Sequence, residues 1–261
     1  MSRDNIDKIA ENNEDRILLA KIWDKINFGI RRNIPANTAF LSQRELNLSR
    51  FLFGQLDGLT TFGGYQNAER QMLVYLPEYL DQSYLMCDDS PICCIRAKFY
   101  ENDAPSHRDF LGALLGCGIA RATVGDILVN QGYCDFFTTA EIAPHVLQSL
   151  SSAGKAKLQL ETIPLTSAAI PEVKFREIRD TLASVRLDNI VSSGFSISRS
   201  NAVQLIHNGK ASIDGLPCEK PDKPILTGAK ISVRGLGKIE LHQINGTTKK
   251  GRISVLIHRF L

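Results

Sequence analysis

Residues 185–215, VRLDNIVSSGFSISRSNAVQLIHNGKASIDG, constrain the fold more than any other stretch, because they spell out a complete supersecondary unit. A short helix is followed by a tight loop, a second helix, a strand and a hairpin turn. Gly194 stands where the first helix must stop, since a left-handed residue after the last turn costs glycine nothing. Ser198 is placed to cap the second helix by accepting a backbone N–H bond. That helix runs for about three turns and ends at Asn208-Gly209. Its apolar positions Ala202, Val203, Leu205 and Ile206 can face a core. Ser200, Gln204, His207 and Asn208 fall at i, i+4, i+7 and i+8, which makes one polar stripe. Arg186, Arg199 and Lys210 surround the stripe with positive charge. Ala211-Ser212-Ile213 reads as a strand that turns at Asp214-Gly215.

Taken together, Arg186-Leu187-Asp188, Gly194, Ser198-Arg199, Ala202, Leu205-Ile206, Gly209 and Asp214-Gly215 resemble the S-four RNA-binding domain. The resemblance implies two helices and a small sheet that present basic and polar side chains to structured RNA. Charge points the same way independently. Residues 181–261 carry 12 Lys+Arg and 5 Asp+Glu, a net of +7, whereas the remainder carries 19 and 23, a net of −4. A chain of net charge +3 is therefore polarised, and its basic end is the one expected to meet phosphate.

A length of 261 residues favours two or three small domains. The polar, acidic start MSRDNIDKIAENNEDR does not read as a signal peptide. The longest apolar run, Phe110 to Ala120, is shorter than the roughly 20 residues that span a bilayer. The expectation is a cytoplasmic protein with no membrane partner. Its six cysteines include no Cys-x-x-Cys pair and no zinc-finger spacing, so they read as small buried hydrophobes, and neither a metal nor a cofactor is expected.

The pattern of elements predicts an α+β chain. Residues 1–80 read as a helical N-terminal domain. Glu14 to Phe28 is amphipathic, and Ser42-Gln43-Arg44-Glu45 is a capping box before Leu46, Leu48, Phe51, Leu52 and Leu56. Asn67 to Leu76 reads as a helix or a strand. Residues 84–165 read as a ferredoxin-like, RNA-recognition-motif-like domain of order βαββαβ: strand Ile92–Tyr100, a helix opened by the capping-box pattern Ser106-His107-Arg108-Asp109, strands Asp126–Asn130 and Tyr133–Phe137, a helix capped by Thr138-Thr139-Ala140-Glu141, and strand Leu158–Ile163. Tyr133, Phe136 and Phe137 are aromatic, but no RNP1 sequence accompanies them, so base stacking does not follow from the fold. Residues 166–180 read as a charged connector with a short helix after Pro171, and 181–261 as the S-four domain.

A second resemblance runs along most of the chain. Phe62-Gly63-Gly64-Tyr65 with Ala68-Glu69-Arg70, the block His107-Arg108-Asp109-Phe110-Leu111-Gly112-Ala113-Leu114-Leu115-Gly116, and then Gly118-Ile119, Arg121 and Gly125-Asp126-Ile127 resemble the signatures of the YlmH family, with the S-four domain last. That resemblance implies a bacterial RNA-binding protein encoded beside cell-division genes. It further implies binding to the large ribosomal subunit carrying peptidyl-tRNA, in rescue of stalled translation, with rRNA or tRNA as partner. The RNA-contact role carries over to Arg186, Arg199, Ser200, Gln204 and Lys210. Candidate further contacts are His207, Asn208, Lys238, Lys249, Lys250, Arg252 and Arg108. The cluster at 249–252 reads equally as an exposed turn. In the HRDFLGALLG block, His107 and Asp109 are expected to cap the helix, and Gly112 and Gly116 to allow close packing.

No catalytic constellation is evident. Arg186-Leu187-Asp188 is similar to the aspartate motif of pseudouridine synthases, but 73 residues after Asp188 are too few for that fold. Gly116-Cys117-Gly118 follows a helix and lacks a third glycine in phase; Gly235-Leu236-Gly237-Lys238 lacks Walker spacing and reads as a hairpin between 230–234 and 238–242. The leading expectation is therefore a non-enzymatic RNA-binding factor. The alternatives are an RNA-modifying enzyme with a site around His107, Asp109 and Asp126, and an interaction module for division-associated proteins.

Overall fold

The computed structural model describes residues 5–54, 56–172, 174–248 and 251–261. The chain divides into two compact units, one ending at Pro171 and the other starting at Glu172.

In the N-terminal unit, α1 (Ile6–Ile9) precedes α2 (Asn13–Arg32), which starts where the Asn12 side chain accepts from Asp15 N. Helix α2 ends at Asn33 in the left-handed region. After β1 (Ala36–Asn37), the Ser42/Glu45 capping box forms as its sequence predicts and opens α3 (Gln43–Phe53). Trp23 of α2 stacks on Phe53 of α3 at 5.4 Å between ring centroids. β2 (Leu59–Phe62) and β3 (Met72–Tyr75) then complete an antiparallel sheet of order β1-β3-β2. The segment readable as helix or strand is thus a strand.

Next come β4 (Ile92–Lys98), α4 (His107–Gly116), β5 (Val124–Val129), β6 (Tyr133–Thr139), α5 (Ala143–Ser149), the small hairpin β7 (Ser152–Ala153) and β8 (Ala156–Lys157), and β9 (Gln159–Ile163). The sheet order is β5-β6-β4-β9, antiparallel throughout, which is the ferredoxin-like arrangement expected from βαββαβ. Helix α4 opens with a Ser106/Asp109 box, and His107 is its first helical residue, not a cap. The expected box at 138–141 does not form, because Thr138 and Thr139 belong to β6; α5 begins at Ala143 with Pro144 in its first turn.

The two faces of this sheet are both buried. One packs Ile95, Ala97, Cys134 and Phe136 against Phe110 and Leu114 of α4 and Val146 of α5. The other places Cys94 and Phe137 against Phe40, Met72, Val74 and Leu76. Residues 1–80 and 84–165, read separately in the sequence, therefore share a core.

The C-terminal unit opens with β10 (Phe175–Leu182), followed by α6 (Leu187–Phe195), α7 (Arg199–His207), β11 (Ala211–Ile213), β12 (Leu216–Pro217), β13 (Lys230–Val233), β14 (Gly237–Thr247) and β15 (Ile253–Phe260). The sheet order is β10-β15-β14-β13-β11-β12. The stretch read as a connector with a short helix after Pro171 is in fact strand β10, because its backbone pairs along its whole length with β15, from Phe175↔Phe260 to Leu182↔Ile253. Leu187, Ile190, Val191, Ala202 and Ile206 from the helices pack on Ile239, Leu241, Val255 and Ile257 from the sheet. Asp214 and Gly215 both take positive φ, as a tight hairpin between β11 and β12 requires.

Candidate nucleic-acid interface

The left-handed residue that ends α6 is Ser196, at φ 55, not Gly194. Gly194 lies inside the helix, where a Cβ would sit 2.6 Å from Ile239 Cδ1. Its hydrogen side chain lets α6 lie close on the sheet. The α6–α7 connection is tied at both ends: Ile197 N donates to Ser192 O, and Ser192 Oγ donates to Ile197 O. Ser198 then caps α7, accepting from Asn201 N as expected.

This geometry builds one face. Asp188, in the first turn of α6, is 1% exposed. Its Oδ2 accepts from Arg186 Nη2 at 3.3 Å and from Arg199 Nε and Nη2 at 3.0 and 2.8 Å. Its Oδ1 accepts from Asn189 N at 3.0 Å. A buried carboxylate needs this pairing, since an unpartnered charge in the interior would be expensive. Both guanidiniums still reach solvent, with the Arg199 side chain 61% exposed. They border a groove of about 760 Å³ whose wall continues through Ser200, Val203 and Gln204. The first backbone donors of α6 are taken up internally: Leu187 N donates to Lys223 O and Asp188 N to Pro221 O, both at 2.9 Å. The face therefore offers anions arginine side chains, not the amide groups of a free α6 N-terminus.

Of the residues singled out from the sequence, Arg186, Arg199, Ser200 and Gln204 come together here. His207, Asn208 and Lys210 are exposed at the far end of α7 and just beyond. Lys238 alternates with the core residue Ile239 along β14, which puts it on the sheet face away from α6. Arg252 donates to the Thr181 carbonyl and borders a separate groove beside Ser192, Ser193 and Ser196. Arg108 is exposed on α4, in the N-terminal unit. Lys249 and Lys250 lie outside the described residues. From the sequence, Asp188 stands out only as part of the Arg186-Leu187-Asp188 motif. The missed signal was an acidic residue beside Leu187, Ile190 and Val191 on the helix's buried side, with arginines nearby in sequence.

The motifs at 62–70 and 107–127 act as a lock within the N-terminal unit. Asp126 accepts from Tyr65 Oη and Glu69 N, each at 2.7 Å, and from Arg70 N at 3.0 Å. Burial, then the Asp126 carboxylate, pushes the Tyr65 phenol well above its ordinary range. Arg70 donates to Val124 O and Phe40 O. Gly64, at φ +95, lies against the Phe137 ring, on which Tyr65 also rests at 5.2 Å. Gly112 and Gly116 do not serve close packing, because nothing lies within 4 Å of a Cβ at either.

The sheet surface used for base stacking in RNA-recognition motifs is closed in this chain. Phe137 is fully buried under residues of the first sheet, Phe136 under the helices, and Tyr133 carries Arg96 over its ring at 4.6 Å. His107, Asp109 and Asp126 do not converge: Asp109 is spent on the Ser106 cap and Asp126 on the 65–70 loop. Burial raises the Cys93 thiol and pushes Cys94 up to about 12, away from thiolate chemistry. Among the described residues no cluster of His, Cys, Asp or Glu could hold a metal, and no helix is long and apolar enough to cross a membrane.

Two family models match the chain. One, described as "Putative RNA-binding domain in YlmH", covers residues 96–167, and the other, the "S4 domain", covers 185–231. "Ribosome-associated protein quality control protein P2" of Bacillus subtilis (strain 168) is 33% identical over 224 residues, 85% of this chain and 86% of that protein. Among solved structures, "Cell division protein ylmH from Streptococcus pneumoniae" matches with a TM-score of 0.49 and 21% identity, over 60% of this chain and 95% of that one.

Proposed function

Because this chain belongs to the YlmH family of RNA-binding proteins, we propose that it binds structured RNA on the ribosome through the α6–α7 face and acts in rescue of stalled translation. Its target is the large subunit carrying peptidyl-tRNA. The observation that carries this reading is the pair of arginines held on Asp188 at the edge of an open groove, within residues 181–261 of net charge +7. The name of the Bacillus subtilis relative, which speaks of ribosome-associated quality control, supports the ribosomal half of it.

Arg186, Arg199 and Lys210 neutralise backbone phosphates and supply most of the affinity, while Ser200 and Gln204 offer hydrogen bonds along α7. Selectivity comes from RNA shape, since an A-form helix hides its base edges in a deep groove. The protein works as a binding factor, not an enzyme. An attacking aspartate of the pseudouridine synthase type would have to be free, and Asp188 is buried and spent on two arginines.

Co-sedimentation with purified large subunits, with and without peptidyl-tRNA, and with small subunits tests the reading. Retention on large subunits, strongest with peptidyl-tRNA, is the expected result. Equal retention on both subunits, or none by a folded protein, would overturn it.

A further inference from the structure

We infer that Asp188 is a positioning residue for RNA binding: it holds Arg186 and Arg199 in one fixed orientation, as a preformed fork for neighbouring phosphates of an RNA backbone. The inference rests on the α6–α7 face being the RNA contact and adds to that reading how the face is organised.

Simple charge counting makes Asp188 an obstacle, because a carboxylate beside two guanidiniums cancels part of their attraction for phosphate. The geometry argues the reverse. Three N–H groups from two arginines converge on the single oxygen Oδ2, between 2.8 and 3.3 Å, and the fourth acceptor contact, at Oδ1, goes to the helix backbone. The carboxylate is itself buried, seated in the first turn of α6 where the residue's backbone N–H donates to Pro221 O. Arg199 uses its Nε and one terminal nitrogen on Asp188, so no contact of the other terminal nitrogen to Asp188 competes with a ligand. Long arginine side chains that are already ordered bind without losing rotamer freedom on contact. If two such side chains had to be ordered only on binding, the loss would be roughly fivefold to a hundredfold in affinity.

The test uses the full chain titrated onto purified large ribosomal subunits over a series of KCl concentrations, with melting temperatures recorded for each variant. Asp188→Asn keeps the shape, removes a negative charge and leaves both arginines in the chain. Positioning predicts binding roughly fivefold to a hundredfold weaker, with an unchanged slope of log affinity against log salt, because the number of neutralised phosphates stays the same. Arg199→Lys retains the charge but not the two-nitrogen grip on Asp188. It should weaken binding in the same way at constant slope, and its exposed head group makes it the deciding variant if Asp188→Asn fails to fold. Unchanged or tighter binding by either folded variant would overturn the positioning role. Lys210→Gln separates this from failure of the underlying reading. If it lowers both affinity and slope while Asp188→Asn and Arg199→Lys change neither, the RNA face stands and positioning falls. If Lys210→Gln also leaves both unchanged, or the unaltered chain does not bind, the RNA face falls and positioning with it.

Discussion

Gly64→Ala strikes the lock between the 62–70 loop and the ferredoxin-like sheet. At φ +95 an alanine pays for a backbone region that L-residues rarely occupy, about 2 kcal/mol. Its Cβ would also lie 2.4 and 2.7 Å from two carbons of the Phe137 ring. That ring is fully buried and has Tyr65 against it, so it has no room to retreat, and overpacking adds about 2 kcal/mol. The combined loss of about 4 kcal/mol corresponds to a fall of about 8–16 °C in the melting temperature of a unit of this size. Differential scanning calorimetry would read it in the transition of the N-terminal unit. Gly112→Ala is the internal control: nothing surrounds its Cβ, and alanine favours the helix by about 1 kcal/mol, so the same transition should rise by about 2–4 °C. A Gly64→Ala protein that melts within a degree of the parent would refute the close-approach argument.

Two further predictions concern pH. Hydrogen bonding from Arg44 holds the Asp15 carboxyl below its ordinary value, so the stability it contributes is present above about pH 4 and is lost as pH falls through the lower folded value. Asp15→Asn should lower the stability of the N-terminal unit at neutral pH by about 1–3 kcal/mol and flatten its acid limb in thermal melts. In the C-terminal unit, burial and the neighbouring His242 depress the His258 imidazole, which stacks between Phe175 and His242 at 4.0 and 3.9 Å. The unfolded chain therefore takes up a proton first as pH falls through about 6.5, and stability is lost below that point. His258→Phe keeps a ring in the stack and should remove this component, whereas an unchanged pH profile would contradict it.

What could be read in the sequence was local. The boxes at Ser42–Glu45 and Ser106–Asp109 and the cap at Ser198 each lie within four residues of the groups they satisfy, and all three form. What escaped was long-range. The two-residue strand β1 is fixed only by β3 some 38 residues later, too short a segment to show a period. Strand β10 looks like a charged linker because most of its side chains are exposed at a sheet edge, and only its pairing with β15 makes it a strand. Gly194 was legible as a glycine position, but its cause is a side chain from β14, not a helix end. Arg199, Ser200 and Gln204 were legible because they lie on one helix, and Arg186 because it stands in the Arg-Leu-Asp motif that opens the helix before it. The carboxylate that joins the two arginines was not, since its partner Arg199 is on the next helix.

The salt dependence of binding to large ribosomal subunits tests the central claim most directly, comparing the parent chain with a variant carrying Arg199→Gln and Lys210→Gln. If these residues neutralise phosphates, the slope of log affinity against log salt should shrink by about 1.4–1.8, two phosphate contacts at about 0.7–0.9 each, and affinity should fall with it. An unchanged slope in a variant that remains folded would contradict the assignment of the α6–α7 face as the RNA contact.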